Sequence, residues 1–141
     1  MVTVYDAEVN ALIKEAARKL EEMGIKRPDY LEFVKSGAHA ERRPTQQNFW
    51  HLRCASLLRK VYLSQGTAIG VNRLRRHYGG RKNRGVAPEK AKRASGSIIR
   101  RAFMALEKVG FVEKGKKGRR ISPAGVKFLD SVARSVTKKE S

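Results

Sequence analysis

Five stretches of helical spacing, at 6–23, 48–63, 71–78, 95–109 and 123–136, predict a mainly α fold, joined by a strand–basic turn–strand pattern at 111–121 and a small strand at 68–71. Three helices followed by a two-stranded hairpin, with a small strand before the second helix, is the order of a winged helix-turn-helix. The chain adds an extra N-terminal helix and a C-terminal helix to that order. At 141 residues and 40% hydrophobic content it can bury one real core. The expected organisation is a single domain over 1–141. Residues 1–47 supply the N-terminal helix and a connector, 48–122 a winged-helix core with a basic loop at 79–93 and a wing at 111–121, and 123–141 the C-terminal helix and tail.

Each element follows from local chemistry. Val9, Leu12, Ile13, Ala16, Ala17 and Leu20 recur at helical spacing, with Thr3 and Asp6 in a capping-like arrangement before them and Gly24 as a stop. Segment 25–47 mixes apolar residues with Pro28, Gly37 and Pro44, the composition of a connector with a short helix at most. Trp50, Cys54, Leu57, Leu58 and Val61 then fall on one helical stripe. Arg53 and Lys60 share one flank of it and Arg59 points roughly opposite, and no acid balances them between 48 and 63. A small break at 66–70 precedes the 71–78 helix, which holds Leu74 inward. Tyr78-Gly79-Gly80 is expected to end that helix through the positive φ that glycine accepts. Ser95 or Ser97 can cap the next helix, whose buried stripe is Ile99, Ala102, Phe103 and Leu106; Arg100, Arg101, Met104 and Lys108 lie away from it. Gly110 closes that helix. Ser122-Pro123 reads as an N-cap followed by proline at the first helical position, and Val126, Leu129 and Val132 form the last buried stripe.

Charge points to the partner. Residues 1–40 carry six basic and seven acidic side chains, whereas 41–141 carry twenty-six basic and six acidic, so nearly all of the net +19 sits in the C-terminal hundred residues. Between Arg73 and Arg93 there are nine Lys or Arg in twenty-one positions, one acid, Glu89, and three glycines. A segment that repels itself this strongly needs a polyanion to neutralise it, and nucleic acid is the leading partner. Arginine's planar fork grips phosphate with two hydrogen bonds or stacks on a splayed base, and glycines let the loop follow an irregular surface. That combination suits folded RNA better than a regular duplex groove.

Other classes find little support. The longest uncharged stretch, Val61 to Asn72, is too short to span a bilayer, and the first residues lack the pattern of a signal peptide, which predicts a cytoplasmic protein with no membrane partner. The single cysteine, Cys54, sits on a buried stripe as an inert small hydrophobe. His39, His51 and His77 lack metal-ligand spacing, and the Tyr78-Gly79-Gly80-Arg81-Lys82 stretch lacks the context of a phosphate-cradling loop. No catalytic residue, metal or cofactor is therefore expected, and the chain is not read as an enzyme. Trp50 and Tyr62 are expected in the core, while Phe49 and Tyr78 border the basic region where they could stack on bases. No apolar face remains to form a dimer helix, so the free protein is expected to be a monomer. A transcription factor on duplex DNA is the rival reading, and a protein-interaction role without RNA affinity is a third.

A series of short motifs sharpens this. Val4-Tyr5-Asp6, Val34-Lys35-Ser36-Gly37, Pro44, Phe49-Trp50-x-x-Arg53-x-Ala55-Ser56-x-x-Arg59-x-x-Tyr62, Gly70-Val71 and Tyr78-Gly79-Gly80-Arg81 run in that order. Gly85-x-x-Pro88, Ser97-x-x-Arg100-Arg101, Leu106-Glu107, Gly118-Arg119 and Pro123-x-Gly125 follow. In this order the chain resembles the archaeal and eukaryotic small-subunit ribosomal protein nineteen-e family over nearly its whole length, with Tyr30 standing where that family usually has Trp. The resemblance implies a winged-helix body bound to ribosomal RNA in the head of the small subunit, beside neighbouring ribosomal proteins, and in eukaryotes a part in maturing that RNA. It implies RNA contact for Arg53, Arg59, Arg81, Arg100 and Arg101, and support of the basic loop by Gly79, Gly80 and Gly85. Charge adds Arg73, Arg76, Lys82, Arg84 and Arg93 from the central run, and Lys116, Lys117 and Arg119 from the wing, to the expected RNA-binding set.

Overall fold

The computed structural model describes residues 2–44, 48–64 and 67–140. The break expected at Gly66 begins outside them. The described chain is mainly α, with five α-helices and two small antiparallel sheets: α1 (Val9–Glu22), α2 (Phe49–Leu63), α3 (Val71–Tyr78), β1 (Gly80–Arg84), β2 (Ala87–Lys92), α4 (Gly96–Val109), β3 (Val112–Gly115), β4 (Gly118–Ile121) and α5 (Pro123–Glu140).

One contiguous buried cluster joins all five helices, taking Leu12 and Leu20 from α1, Trp50 and Leu57 from α2, Leu74 from α3, Phe103 and Leu106 from α4, and Leu129 and Val132 from α5. The stripe at Trp50, Cys54, Leu57, Leu58 and Val61 is buried as its spacing predicts, as is the stripe of α4. Helix α2 lies at the centre, packing against α1, α4 and α5.

The first helix starts later than its spacing suggests. Thr3 and Asp6 close a separate 3-10 turn at Val4–Asp6, where the Thr3 amide donates to Asp6 Oδ2 at 2.9 Å and the Asp6 amide to the Thr3 carbonyl at 3.1 Å. Glu8 caps α1 instead. Its carboxylate accepts from the Ala11 and Asn10 amides, and these bonds hold its pKa below the usual carboxylate value. Val9, which keeps the helical spacing of the apolar residues, is exposed at the helix mouth. At the other end of the chain α5 runs to Glu140 where a frayed tail was expected from Thr137; Lys139 there reaches Glu15 of α1 at 3.5 Å. Within α5, Val126 is only half-buried, and Ala133 and Val136 complete the stripe.

The expected strand at 68–71 reduces to one residue: Ile69 pairs with Arg119 of β4 through two backbone bonds of 2.9 and 3.0 Å. The hairpin expected at 111–121 forms, with Val112 opposite Ile121 and Gly115 opposite Gly118. Ser122 caps α5, accepting from the Gly125 amide and donating to the Gly110 carbonyl.

Cys54 is fully buried, and burial pushes its thiol up to about 12. The unfolded chain releases this proton near the ordinary value of 9.0, so from about pH 9 upward the unfolded state binds fewer protons and stability falls. Chemical denaturation between pH 8 and pH 11 is expected to show that decline, at up to about 1.4 kcal/mol per pH unit from this group, and Cys54→Ala should flatten it. An unchanged slope in Cys54→Ala would assign the decline elsewhere.

Candidate nucleic-acid interface

The main departure from the sequence-based expectation is the segment 79–93. It is a two-stranded hairpin, with Gly80 opposite Lys92, Arg81 opposite Ala91, Lys82 opposite Lys90 and Arg84 opposite Ala87. Strand propensity hides it, because Ala87-Pro88-Glu89-Lys90-Ala91-Lys92 has no β-branched residue and carries a proline. Both strands of a lone ribbon are edges, where proline is tolerated. Asn83 Oδ1 accepts from the Gly85 amide, and Gly85 turns the chain at φ +75°, a left-handed conformation that a side chain would strain.

A lone ribbon is marginal in water, and this one is held at its base. The Ala94 amide donates to the Arg75 carbonyl at 2.9 Å, Arg75 Nε donates to the Ala94 carbonyl at 2.9 Å, and the Ser95 amide reaches Ser36 O at 2.8 Å. Gly37 bridges Ala94, and Lys82 Nζ donates to the Ala38 carbonyl at 3.0 Å. Arg75, part of the basic run, thus acts as a strut. Gly79 has an ordinary negative φ of −76°, so its role is not the positive φ expected of it. What the position requires is the absence of a side chain: a Cβ there would stand 2.2 Å from the Lys92 carbonyl, where the two ends of the hairpin meet. Gly80 packs against the His39 ring, and a Cβ there would meet it at 3.0 Å.

Above this base the ribbon is bare. From Asn83 through Arg93 every residue is exposed, Val86 at the turn completely. Lys82 directly opposite Lys90 is a like-charge pair that destabilises the ladder. The lone acid, Glu89, lies 3.8 Å from Arg81, an exposed pair worth little. Arg84 Nε is turned to the Pro88 carbonyl. Lys90 and Lys92 are as exposed as the arginines and belong with them, on the signal of the same charge run.

The remaining candidates divide by burial. Arg73 and Arg76 on α3, Arg93 just after β2, Arg100 and Arg101 on α4, and Lys116 and Lys117 at the tip of the β3–β4 hairpin are exposed. The Arg101 guanidinium lies 4.4 Å over the Tyr30 ring, so the tyrosine serves as its platform. Arg53 is half-buried, 4.1 Å over Tyr78 and 5.0 Å from Phe49, and burial draws its pKa below the usual value. These two rings therefore face an arginine of their own chain, and Tyr78 is further held by a 2.6 Å bond to Ser56. Arg59 is half-buried, with an Nε that finds no hydrogen-bond partner among the described residues. Arg119 points inward: its Nε donates to Glu107 at 3.1 Å and its guanidinium covers Phe103 at 5.3 Å.

Other chemistry is thin. His51 is buried against the Ile25 carbonyl at 2.7 Å, and His77 has its pKa lowered by partial burial and by Lys60 and Arg53. Tyr62 is half-buried and donates to Asp130 at 2.9 Å. Among the described residues no group of His, Cys, Asp and Glu could hold a metal, and no helix is long and apolar enough to cross a membrane.

Comparison with known proteins decides the family. The family described as ribosomal protein S19e matches residues 3–139. The chain belongs to the S19e family of ribosomal proteins. Among curated relatives, small ribosomal subunit protein eS19 of Aeropyrum pernix is 44% identical over 139 residues, covering 96% of this chain and 90% of the relative. The same-named protein of Haloarcula marismortui is 40% identical, covering 94% and 90%, and eS19A of Schizosaccharomyces pombe is 37% identical, covering 99% and 97%. Within this S19e chain the exposed candidate cations lie on consecutive elements, α3, the β1–β2 hairpin, α4 and the β3–β4 hairpin, while further exposed cations stand on α1 and α5.

Proposed function

We propose that this S19e protein is a component of the small ribosomal subunit that binds ribosomal RNA in the subunit head, beside neighbouring ribosomal proteins, and assists assembly of the subunit or maturation of its RNA. The observation that carries this reading is the bare β1–β2 ribbon, which crowds its cations along two short strands, sets Lys82 opposite Lys90 and has one weakly placed acid among them. A phosphate backbone relieves that repulsion and releases condensed counterions. A winged-helix assignment supports the same reading: α2, α3 and α4 serve as its three helices, Ile69 as its first strand and β3–β4 as its wing, with the basic ribbon inserted between the second and third helices. In this arrangement Arg81, Lys82, Arg84 and Arg93 reach RNA from the ribbon, Arg73 and Arg76 from α3, Arg100 and Arg101 from α4, and Lys116 and Lys117 from the wing. Arg53 and Arg59 meet it at the edge of α2, and Arg119 acts chiefly by holding the wing to α4.

Duplex DNA is the partner that the winged-helix order alone would favour. The inserted ribbon favours folded RNA, because a protrusion between the second and third helices obstructs a straight groove. Titration of small-subunit ribosomal RNA and of duplex DNA at two salt concentrations tests this: a clear preference for the RNA at the higher salt is expected, and equal affinity for both would defeat it. Arg101→Glu is expected to prevent incorporation into the subunit while melting within about 1 kcal/mol of the parent, since an exposed cation–π contact contributes only about 0.5–1 kcal/mol. A melting loss as large as the incorporation defect would make Arg101 a packing residue.

A further inference from the structure

A groove of about 440 Å³ opens where the end of α1 and the following connector meet α4, over Trp50. Two large apolar side chains left exposed, Met23 at 50% and Met104 at 51%, both line it. Ile25, Pro28 and Val109 complete an aliphatic floor, and Lys26, Arg101 and Lys108 stand around it. Among the described residues no acid lines the groove. Trp50 is 1% exposed, so it presents no ring face to an incoming base.

We propose that the Met23–Met104 groove docks an acidic, apolar segment of a partner protein. Thioether and aliphatic walls make a soft surface that moulds to aliphatic or aromatic side chains, whereas bases bind by stacking on aromatic faces, which this groove lacks. Its cations select the sign of what flanks those side chains: Asp or Glu on the partner meets Lys26 and Lys108, while a basic segment is repelled. The occupant is thus a peptide with apolar side chains one helical turn apart, bordered by carboxylates, lying in the groove as an amphipathic segment does. The inference goes beyond RNA binding, since the groove would hold this partner whether or not the ribbon holds RNA.

The test uses the full chain and a fluorescein-labelled helical peptide carrying two leucines one turn apart flanked by glutamates, read by anisotropy. Binding is expected, with loss of about tenfold or more in affinity for Met104→Glu, which places a carboxylate on the floor at an exposed position. Met23→Ser should weaken it in the same direction, and the peptide with lysines in place of the glutamates should not bind. RNA affinity, measured in parallel, is expected to hold in Met23→Ser, which separates this site from the RNA interface. Equal binding of the acidic and basic peptides, or of the parent and Met104→Glu, would overturn the proposal. So would a photo-crosslinker at position 104 that, in purified small subunits, joins only to RNA and to no protein segment bearing Asp or Glu.

Discussion

Phe103→Ala is expected to destabilise the protein by about 3–5 kcal/mol, a large part of the roughly 5–15 kcal/mol that holds a domain of this size together. The ring is 0% exposed on the buried side of α4, the helix that packs against α2 and α3 and passes directly into the wing. Truncation removes the ring's burial and leaves a space that backbone elements on several sides cannot close. It also strips the surface under the Arg119 guanidinium, which lies 5.3 Å above the ring and pairs with Glu107 at 3.1 Å. The wing should loosen together with the core. Urea unfolding followed by circular dichroism gives the size of the loss, and Phe103→Leu, which refills most of the volume, should recover much of it. A loss under about 1 kcal/mol for the alanine variant would mean that the core around α4 is not the packed centre of the fold.

Arg81→Gln combined with Arg93→Gln is expected to weaken ribosomal RNA binding about fifteen- to thirtyfold at physiological salt while leaving unfolding within about 0.5 kcal/mol of the parent. Both side chains are exposed, one on β1 and one just after β2, and among the described residues Arg81 has only the weakly placed Glu89 as an ionic partner. Every phosphate that goes without its cation takes about 0.7–0.9 from the slope of log affinity against log salt, so the double variant should lower the slope by about 1.4–1.8. Filter binding across a salt series reads both quantities. A weaker affinity with an unchanged slope would show that these arginines act on the ribbon's shape and not on phosphates.

Much of the helical scaffold is legible in the chain because a stripe of apolar residues has one stable resting place. Leu57, Leu58 and Val61, or Ile99, Phe103 and Leu106, could only face inward, and they do. The ribbon is illegible for the opposite reason. Nothing in Ala87 to Lys92 prefers a strand, and the ladder exists because Ala94, held by Gly37 and Arg75, brings the two ends of the segment together. Gly79 shows the same limit: its spacing suggested a turn, and its actual constraint is the Lys92 carbonyl thirteen residues on. Arginines are the least legible of all. Arg75, Arg81 and Arg119 look alike in sequence, yet one ties down the ribbon, one stands in solvent and one pairs with Glu107 beneath the wing.

By itself, then, the amino-acid order determined the five helices, the hairpin at 111–121, the segregation of cations into the last hundred residues and the family to which the chain belongs, since periodicity, turn chemistry and net charge are local or additive properties. Tertiary structure alone decided which cations remain free for a polyanion, how the glycine-rich basic segment is shaped, and that Met23 and Met104 share one groove. Those outcomes depend on contacts between residues far apart in the chain, and a long, flexible guanidinium carries no mark of the neighbour it will find.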